Sequence, residues 1–177
     1  MRSNLSEKVV IPLVSIGDGI SHFACQAEPP VMSQEEKSCF TQPLSVKISV
    51  TTLTEDYLVD LEVTGKGYFI CDRCGEPFKK NVKGKLNILF THNTVKASEG
   101  DGDEIRFLEP SATELDLQQD IVDTLILSLP RKILCKKSCK GLCPRCGVNL
   151  NEKNCRCKTT ETDPRWEALK KIKFKDS

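Results

Sequence analysis

Ten cysteines carry the clearest chemical signal in this chain, because eight of them fall into four closely spaced pairs. Thiolates grouped in this way suit zinc, a soft cation that takes four ligands in a tetrahedron. Two of the pairs form the same Cys-x-x-Cys-Gly turn, in which Gly75 and Gly147 supply the backbone freedom that the turn requires. The predicted metal ligands are Cys71, Cys74, Cys135, Cys139, Cys143, Cys146, Cys155 and Cys157.

Four ligand pairs predict two zinc sites. The most local grouping joins the pairs at 143/146 and 155/157 across an eight-residue loop. The pairs at 71/74 and 135/139 then form a second site, which closes a loop of about sixty residues and contributes to folding. The alternative is a single zinc ion with several bystander thiols, because the Cys-x-Cys pair at 155/157 is the least regular of the four.

Ligation by cysteine alone favours a structural metal site over a catalytic one, which keeps a position open for water beside a general base. Neither His22 nor His92 is close in sequence to a cysteine pair. A thiol oxidoreductase using Cys71 and Cys74 is an alternative, disfavoured because this pair follows a strand and does not begin a helix. Cys25 and Cys39 have no partner spacing and are expected to be free thiols, as are many unpaired cysteines.

The beginning of the chain lacks the apolar segment of a signal peptide, so metal ligation is favoured over disulfides and secretion is not expected. No apolar run approaches the roughly 20 residues needed to span a bilayer, so no membrane association is expected. The sequence also lacks a phosphate-binding glycine loop and a nucleophile elbow. These patterns argue against an enzyme with a small-molecule substrate.

Charge is distributed unevenly along the chain. Residues 1–130 hold 12 Lys and Arg against 20 Asp and Glu, a net charge of −8, whereas residues 131–177 hold 14 against 5, a net charge of +9. A basic segment around metal ligands is typical of nucleic-acid binding, although a solvated basic tail has the same composition. The candidate RNA-binding residues are Lys136, Lys137, Lys140, Arg145, Lys153, Arg156, Lys158, Lys170 and Lys171.

Alternation of apolar and polar residues predicts a sheet. Strands are expected within 8–16, from His22, over 44–53, over 57–64 and over 78–90, with a hairpin at Glu55-Asp56 and a short strand near 104–109. Residues 28–42 and 94–103 are expected to be loops. The fold class is therefore mainly β with some α, an antiparallel sheet or partly open barrel.

Two helices are predicted near the end of the chain. Ser111-Ala-Thr-Glu114 has the form of a capping box, and apolar residues follow at helical spacing until Pro130. This helix is expected to pack on the sheet, and a second is expected over 163–174. Three regions result: an N-terminal segment over 1–43, a β body with the first knuckle over 44–130, and a basic zinc-binding tail over 131–177.

These motifs resemble the YceD family, the large ribosomal RNA subunit accumulation proteins of bacteria and plastids. The resemblance rests on the segment from Cys139 to Cys157, on Asp163-Pro-Arg-Trp-Glu-Ala-Leu-Lys, and on Cys71-Asp-Arg-Cys-Gly-Glu-Pro-Phe. It implies a non-catalytic biogenesis factor for large-subunit (23S) ribosomal RNA, whose partner is that RNA or a pre-ribosomal particle. An interaction module for ribosomal, assembly or transcription proteins is the runner-up. The expected compartment is the plastid stroma for a plant source, with the transit peptide absent from this chain, and otherwise the bacterial cytoplasm.

Overall fold

The computed structural model describes residues 5–6, 8–29, 38–99, 105–157 and 165. Within these residues it contains nine strands and two α-helices. In chain order they are β1 Leu5–Ser6, β2 Val10–Pro12, β3 Ile20–Ala27, β4 Ser38–Phe40, β5 Leu44–Leu53, β6 Asp56–Ile70, β7 Pro77–Thr91, α1 Thr94–Glu99, β8 Ile105–Phe107, β9 Glu114–Asp116 and α2 Gln118–Leu127, with a 3-10 turn at Leu13–Ser15.

Seven of these strands form one open sheet in the order β1-β3-β5-β6-β7-β8, with β4 pairing with β6 beyond the end of β5. Strands β3, β5, β6 and β7 are antiparallel, and β1 and β8 add to the edges in parallel. Strands β2 and β9 form a separate two-stranded sheet. The prediction of a mainly β fold with an antiparallel sheet is confirmed, and the described strands do not close into a barrel.

The central strands follow the alternation that predicted them. Leu44, Val46, Ile48 and Val50 of β5 are buried on one face, and alternate residues of β6 lie beside them in the core. The hairpin turn is formed by Thr54 and Glu55, one residue earlier than predicted, because Asp56 already pairs with Leu53. Strand β6 also continues past the predicted end at 64 to Ile70, so it leads directly into the first knuckle.

Helix α2 packs against β6 and β7 through Ile121 and Leu125, as predicted. The capping-box prediction was wrong, since residues 114–116 pair with β2 and the helix begins only at Gln118. The reason is tertiary: the strand pairing buries Leu115, which is 1% exposed. No helix of the described residues combines the length and apolar character needed to cross a membrane.

Two predicted loops contain regular structure. Residues 94–99 form α1, whose first backbone N–H groups, those of Val95 and Lys96, donate to Asn93 Oδ1. Residues 38–40 form β4, where pairing with β6 replaces the loop. Of the predicted strand over 8–16, only Val10–Pro12 forms a strand. The predicted helix over 163–174 lies outside the described residues except for Arg165, and the division into three regions remains a prediction.

Candidate metal centres

The eight paired cysteines lie in two groups of four. The sulfur atoms of each group all lie within 4.8 Å of one another. We call Cys71, Cys74, Cys135 and Cys139 the inner group, and Cys143, Cys146, Cys155 and Cys157 the outer group. This is the grouping expected from the sequence, and it includes both sulfur atoms of the irregular pair at 155/157.

Both groups are built on the same local turn. In the first knuckle the Cys71 N–H donates to the carbonyl of Glu76 and the Gly75 N–H donates to the carbonyl of Cys71. The second knuckle repeats this pattern, with Cys143 donating to Val148 and Gly147 donating to Cys143. The two glycines have φ values of 71° and 72°, in the left-handed region that favours glycine. The repeated Cys-x-x-Cys-Gly sequence therefore encodes a repeated backbone structure.

The sulfur spacing of the inner group fits a tetrahedral metal ion. With Zn–S bonds of about 2.3 Å, two sulfur atoms on a tetrahedron lie about 3.8 Å apart. The Cys71 and Cys139 sulfur atoms are 3.8 Å apart, and those of Cys74 and Cys135 are 3.9 Å apart. Four thiols at this spacing match the donor set and the geometry of a closed four-coordinate site.

The inner group joins distant parts of the chain at one end of the sheet. Cys71 and Cys74 lie in the connection between β6 and β7, whereas the other two ligands follow α2. Asp72 and Ile133 hold these segments together, since the Ile133 N–H donates to Asp72 Oδ2 at 2.7 Å and the Asp72 N–H donates to the Ile133 carbonyl at 2.9 Å. The inner group therefore attaches the segment after the helix to the sheet.

Thiolates are favoured at the first cysteine of each knuckle. Burial opposes ionisation of Cys71, but backbone N–H groups, chiefly those of Cys135 and Arg73, lower its pKa to about 6. The N–H groups of Cys146 and Arg145 lower the pKa of Cys143 to about 6 in the same way. Backbone donors that stabilise a thiolate also stabilise a metal-bound sulfur, so each turn is suited to a metal ligand.

The outer group has the same donors but a more exposed setting. Its sulfur atoms approach to 3.6 Å between Cys146 and Cys155 and to 3.3 Å between Cys143 and Cys155. Cys146 and Cys157 are exposed, whereas Cys71, Cys74 and Cys139 of the inner group are buried. The two groups can therefore hold the same metal while differing in access to solvent.

Arg73 connects the two groups. Its Nη1 donates to the carbonyl of Cys139 at 2.9 Å, and its own carbonyl accepts from the Leu142 N–H at 3.1 Å. Gly141 lies against it with a φ of 76°, and a Cβ atom there would lie 3.0 Å from the Arg73 carbonyl oxygen. The start of the outer knuckle thus packs directly on the first knuckle.

Asn151 makes a second connection. Its side-chain oxygen accepts from the Lys140 N–H at 2.9 Å, and its side-chain nitrogen lies 3.4 Å from the Cys139 sulfur atom. Sequence reasoning missed both Arg73 and Asn151. The sequence signal for Arg73 is weak: both knuckles have arginine before their second cysteine. Nothing in the sequence shows that Arg73 contacts the other group.

Six of the nine predicted RNA-binding residues lie within the described chain. All six are exposed around the two cysteine groups, namely Lys136, Lys137, Lys140, Arg145, Lys153 and Arg156. Lys158, Lys170 and Lys171 lie outside the described residues. Of the two unpaired cysteines, Cys25 is a partly buried free thiol whose pKa is raised by burial. Cys39 belongs to β4.

Comparison with known proteins gives relatives in bacteria and plants. Uncharacterized proteins of Mycobacterium bovis and Mycobacterium tuberculosis are each 32% identical over 128 residues, which is 71% of this chain and 60% of the relative. A protein of Arabidopsis thaliana named large ribosomal RNA subunit accumulation protein YCED homolog 1, chloroplastic, is 26% identical over 56% of this chain and 39% of its own length. The chain therefore spans less than two thirds of these relatives. No solved structure matches.

The family comparison covers both knuckles. The model of the large ribosomal RNA subunit accumulation protein YceD matches residues 59–173, which run from near the start of β6 through both cysteine groups. More than half of the chain is therefore aligned with one family, including every cysteine of the two groups. The chain belongs to the YceD family of large ribosomal RNA subunit accumulation proteins.

Proposed function

We propose that this protein is a non-catalytic zinc-binding factor needed for accumulation or processing of large-subunit (23S) ribosomal RNA. One observation carries the proposal: two four-cysteine groups hold a set of exposed basic side chains at the end of an otherwise acidic body. The name of the family supplies the class of RNA. The expected partner is that RNA or a pre-ribosomal particle, together with ribosomal or assembly proteins.

Zinc is the metal that best fits two all-cysteine groups. Four thiolates complete its tetrahedron and leave no position open for water, which is the arrangement of a structural zinc site. The thiol oxidoreductase alternative is disfavoured by burial, because Cys71 and Cys74 are 2% and 4% exposed and offer little access to a substrate disulfide. We therefore assign the cysteines a structural role.

The basic side chains around the two cysteine groups are proposed to contact phosphates. Lys137 and Lys140 flank a buried ligand of the inner group, and Arg145 lies within the outer knuckle. Their backbone is held by the turns and by the two connections between the groups, so little ordering of the chain accompanies binding. Lys158, Lys170 and Lys171 are proposed to extend this surface on the basis of the sequence alone.

Binding to RNA provides the first test. The affinity of the zinc-loaded protein for a large-subunit RNA fragment should fall steeply with salt. Neutralising Lys136, Lys137, Lys140 and Arg156 together to glutamine should lower the slope of log affinity against log salt by about 3, at about 0.7 for each contact with a single strand. The control is Lys47→Gln, an exposed lysine in the middle of β5, which should leave the slope unchanged. A flat salt dependence would contradict direct RNA contact.

Depletion in the source organism tests the biological role. Loss of the protein should lower the amount of large-subunit RNA while sparing small-subunit RNA. Equal loss of both would refute the role taken from the family. By analogy with the relatives, we propose the plastid stroma for a plant source and the bacterial cytoplasm otherwise.

An exposed apolar pair supports interaction with a protein as a second candidate function. Ile126 and Leu127 at the end of α2 are 40% and 84% exposed. They border a groove of about 480 Å³ that also contacts Leu86 and Arg106. Replacing Leu127 with serine should weaken binding to an assembly partner without changing RNA affinity, and the reverse result would exclude this candidate.

A further inference from the structure

The solvent-facing side of the sheet has a basic and aromatic end next to the inner group. Strand alternation places Lys66, Tyr68 and Ile70 of β6 on the face opposite the core. On β7, Lys79 pairs with Tyr68, Asn81 with Lys66 and Lys83 with Thr64, so their side chains share this face. We call Lys66, Tyr68, Lys79, Asn81 and Lys83 the Tyr68 face.

Tyr68 is the most exposed aromatic side chain of the described residues. It is 45% exposed, against 39% for Phe107 and at most 6% for Phe40, Phe69 and Phe90. Lys79 Nζ lies 4.9 Å from the centre of its ring, so a cation covers one face of the ring. The ring therefore combines an accessible aromatic surface with a neighbouring positive charge.

The charge of this surface is local. Towards the middle of the sheet, Glu62 binds Lys83 at 2.9 Å and Lys85 at 3.6 Å, and Asp60 adds a second carboxylate. Within the described chain, Lys66 and Lys79 form no ion pair with a carboxylate. The lysines nearest the inner group are thus free to bind an anion, whereas Lys83 and Lys85 in the middle of the face share the carboxylate of Glu62.

We propose that the Tyr68 face is a binding site for single-stranded RNA, separate from the basic residues around the cysteine groups. An unpaired base stacks on the ring of Tyr68, and the adjacent phosphates contact Lys66 and Lys79. A duplex does not offer an unstacked base to this ring, so the ligand is a single-stranded segment. This inference rests on the proposed function and adds a second contact to it.

A cross-strand pair of tyrosine and lysine can also serve only to stabilise the sheet. Substitutions that keep or remove the aromatic ring distinguish that structural role from stacking on a base. The zinc-loaded full chain is titrated with a labelled twelve-nucleotide oligouridine. Tyr68→Leu should weaken binding about tenfold, within the range for loss of one stacked base, whereas Tyr68→Phe should stay within about twofold. Thermal unfolding of both variants checks that the fold is intact.

A second test removes the bases of the RNA probe and leaves the tyrosine ring in place, so it does not depend on the folding of a variant. A probe of the same length with abasic sites should bind the wild-type protein and Tyr68→Leu equally. Lys66→Gln with Lys79→Gln should lower the salt slope by about 1.4, and the matched Lys47→Gln change in the middle of the same face should have no effect. Equal affinity of Tyr68→Leu and wild type for oligouridine would overturn the proposal.

The same titration separates this proposal from the proposed function. Suppose that binding is weakened by the quadruple substitution of Lys136, Lys137, Lys140 and Arg156 but not by the substitutions at Tyr68, Lys66 and Lys79. Only the proposal for the Tyr68 face is then refuted. If Tyr68→Leu weakens binding of an acidic peptide but not of oligouridine, the face is a protein site and the proposal is wrong. If no RNA binds at all, both proposals are wrong.

Discussion

The inner and outer cysteine groups share a turn but differ in what they connect. Each contains a Cys-x-x-Cys-Gly knuckle with the same two backbone hydrogen bonds. The inner group draws its ligands from segments 61 residues apart and is mostly buried, whereas the outer group is contained within residues 143–157 and is partly exposed. One local motif can therefore join distant segments of a domain or only the ends of its own loop, depending on where the other two ligands are in the chain.

The difference has an energetic basis. A metal ion that binds the folded inner group closes a long loop, so its binding free energy contributes to the stability of the sheet and helix together. Metal binding to the outer group orders about 15 residues. The body should therefore depend strongly on the inner metal ion and weakly on the outer one.

Equivalent substitutions in the two knuckles give the largest expected difference. Cys74 and Cys146 occupy the same position of the turn. Cys74→Ser should lower the free energy of unfolding of the body by at least about 3 kcal/mol, because metal binding is a large part of the folding free energy in such sites. Cys146→Ser should change it by less than about 1 kcal/mol. Chemical denaturation followed by far-ultraviolet circular dichroism measures both, and equal losses would contradict the comparison.

Metal removal should be faster from the outer group. If both groups bind a metal ion, exposed Cys146 and Cys157 should let a chelator reach the outer one directly, whereas release from the inner group should require local opening of the fold. We expect two kinetic phases of equal size that differ in rate by about tenfold or more, followed with a zinc-sensitive dye. Cys146→Ser should abolish the fast phase and leave the slow one, which assigns each phase to its group.

The contact between the groups should have the smallest effect. Gly141→Ala places a Cβ atom 3.0 Å from the Arg73 carbonyl oxygen at a φ of 76°, so its cost should exceed the about 1–2 kcal/mol of left-handed backbone strain alone. The matched change Gly147→Ala has a similar φ, 72°, but meets no atom within 4 Å. A greater loss of stability for Gly141→Ala than for Gly147→Ala would confirm that the groups are packed together, and equal losses would show that only backbone strain matters.

Much of the sheet could be predicted from the sequence because its strands alternate. Val46, Ile48 and Val50 are buried as the period of two requires. The local pattern predicted a helix start at Ser111. Pairing of β9 with β2, which buries Leu115, forms there instead. A pairing between residues about a hundred positions apart leaves no local signal.

The arrangement of the cysteines followed from spacing, but their surroundings did not. Four pairs at 71, 135, 143 and 155 allow few groupings, and the local one agrees with the structure. The contacts of Arg73 with Cys139 and of Asn151 with Lys140 depend on how two knuckles meet in space. The residue types alone do not indicate these contacts, so the orientation of the outer group could not be predicted from the sequence.

The long span of the inner group also fixes an order of events during synthesis. Cys71 and Cys74 are made first, and Cys135 follows Cys74 by 61 residues. At elongation rates of about 5–20 residues per second, this interval lasts roughly 3–12 s. For that time the first two cysteines form an incomplete site on a nascent chain, and a metal ion can be fully enclosed only after α2 has been synthesised. The corresponding interval for the outer group is shorter, roughly 0.7–3 s, because its four ligands lie within residues 143–157.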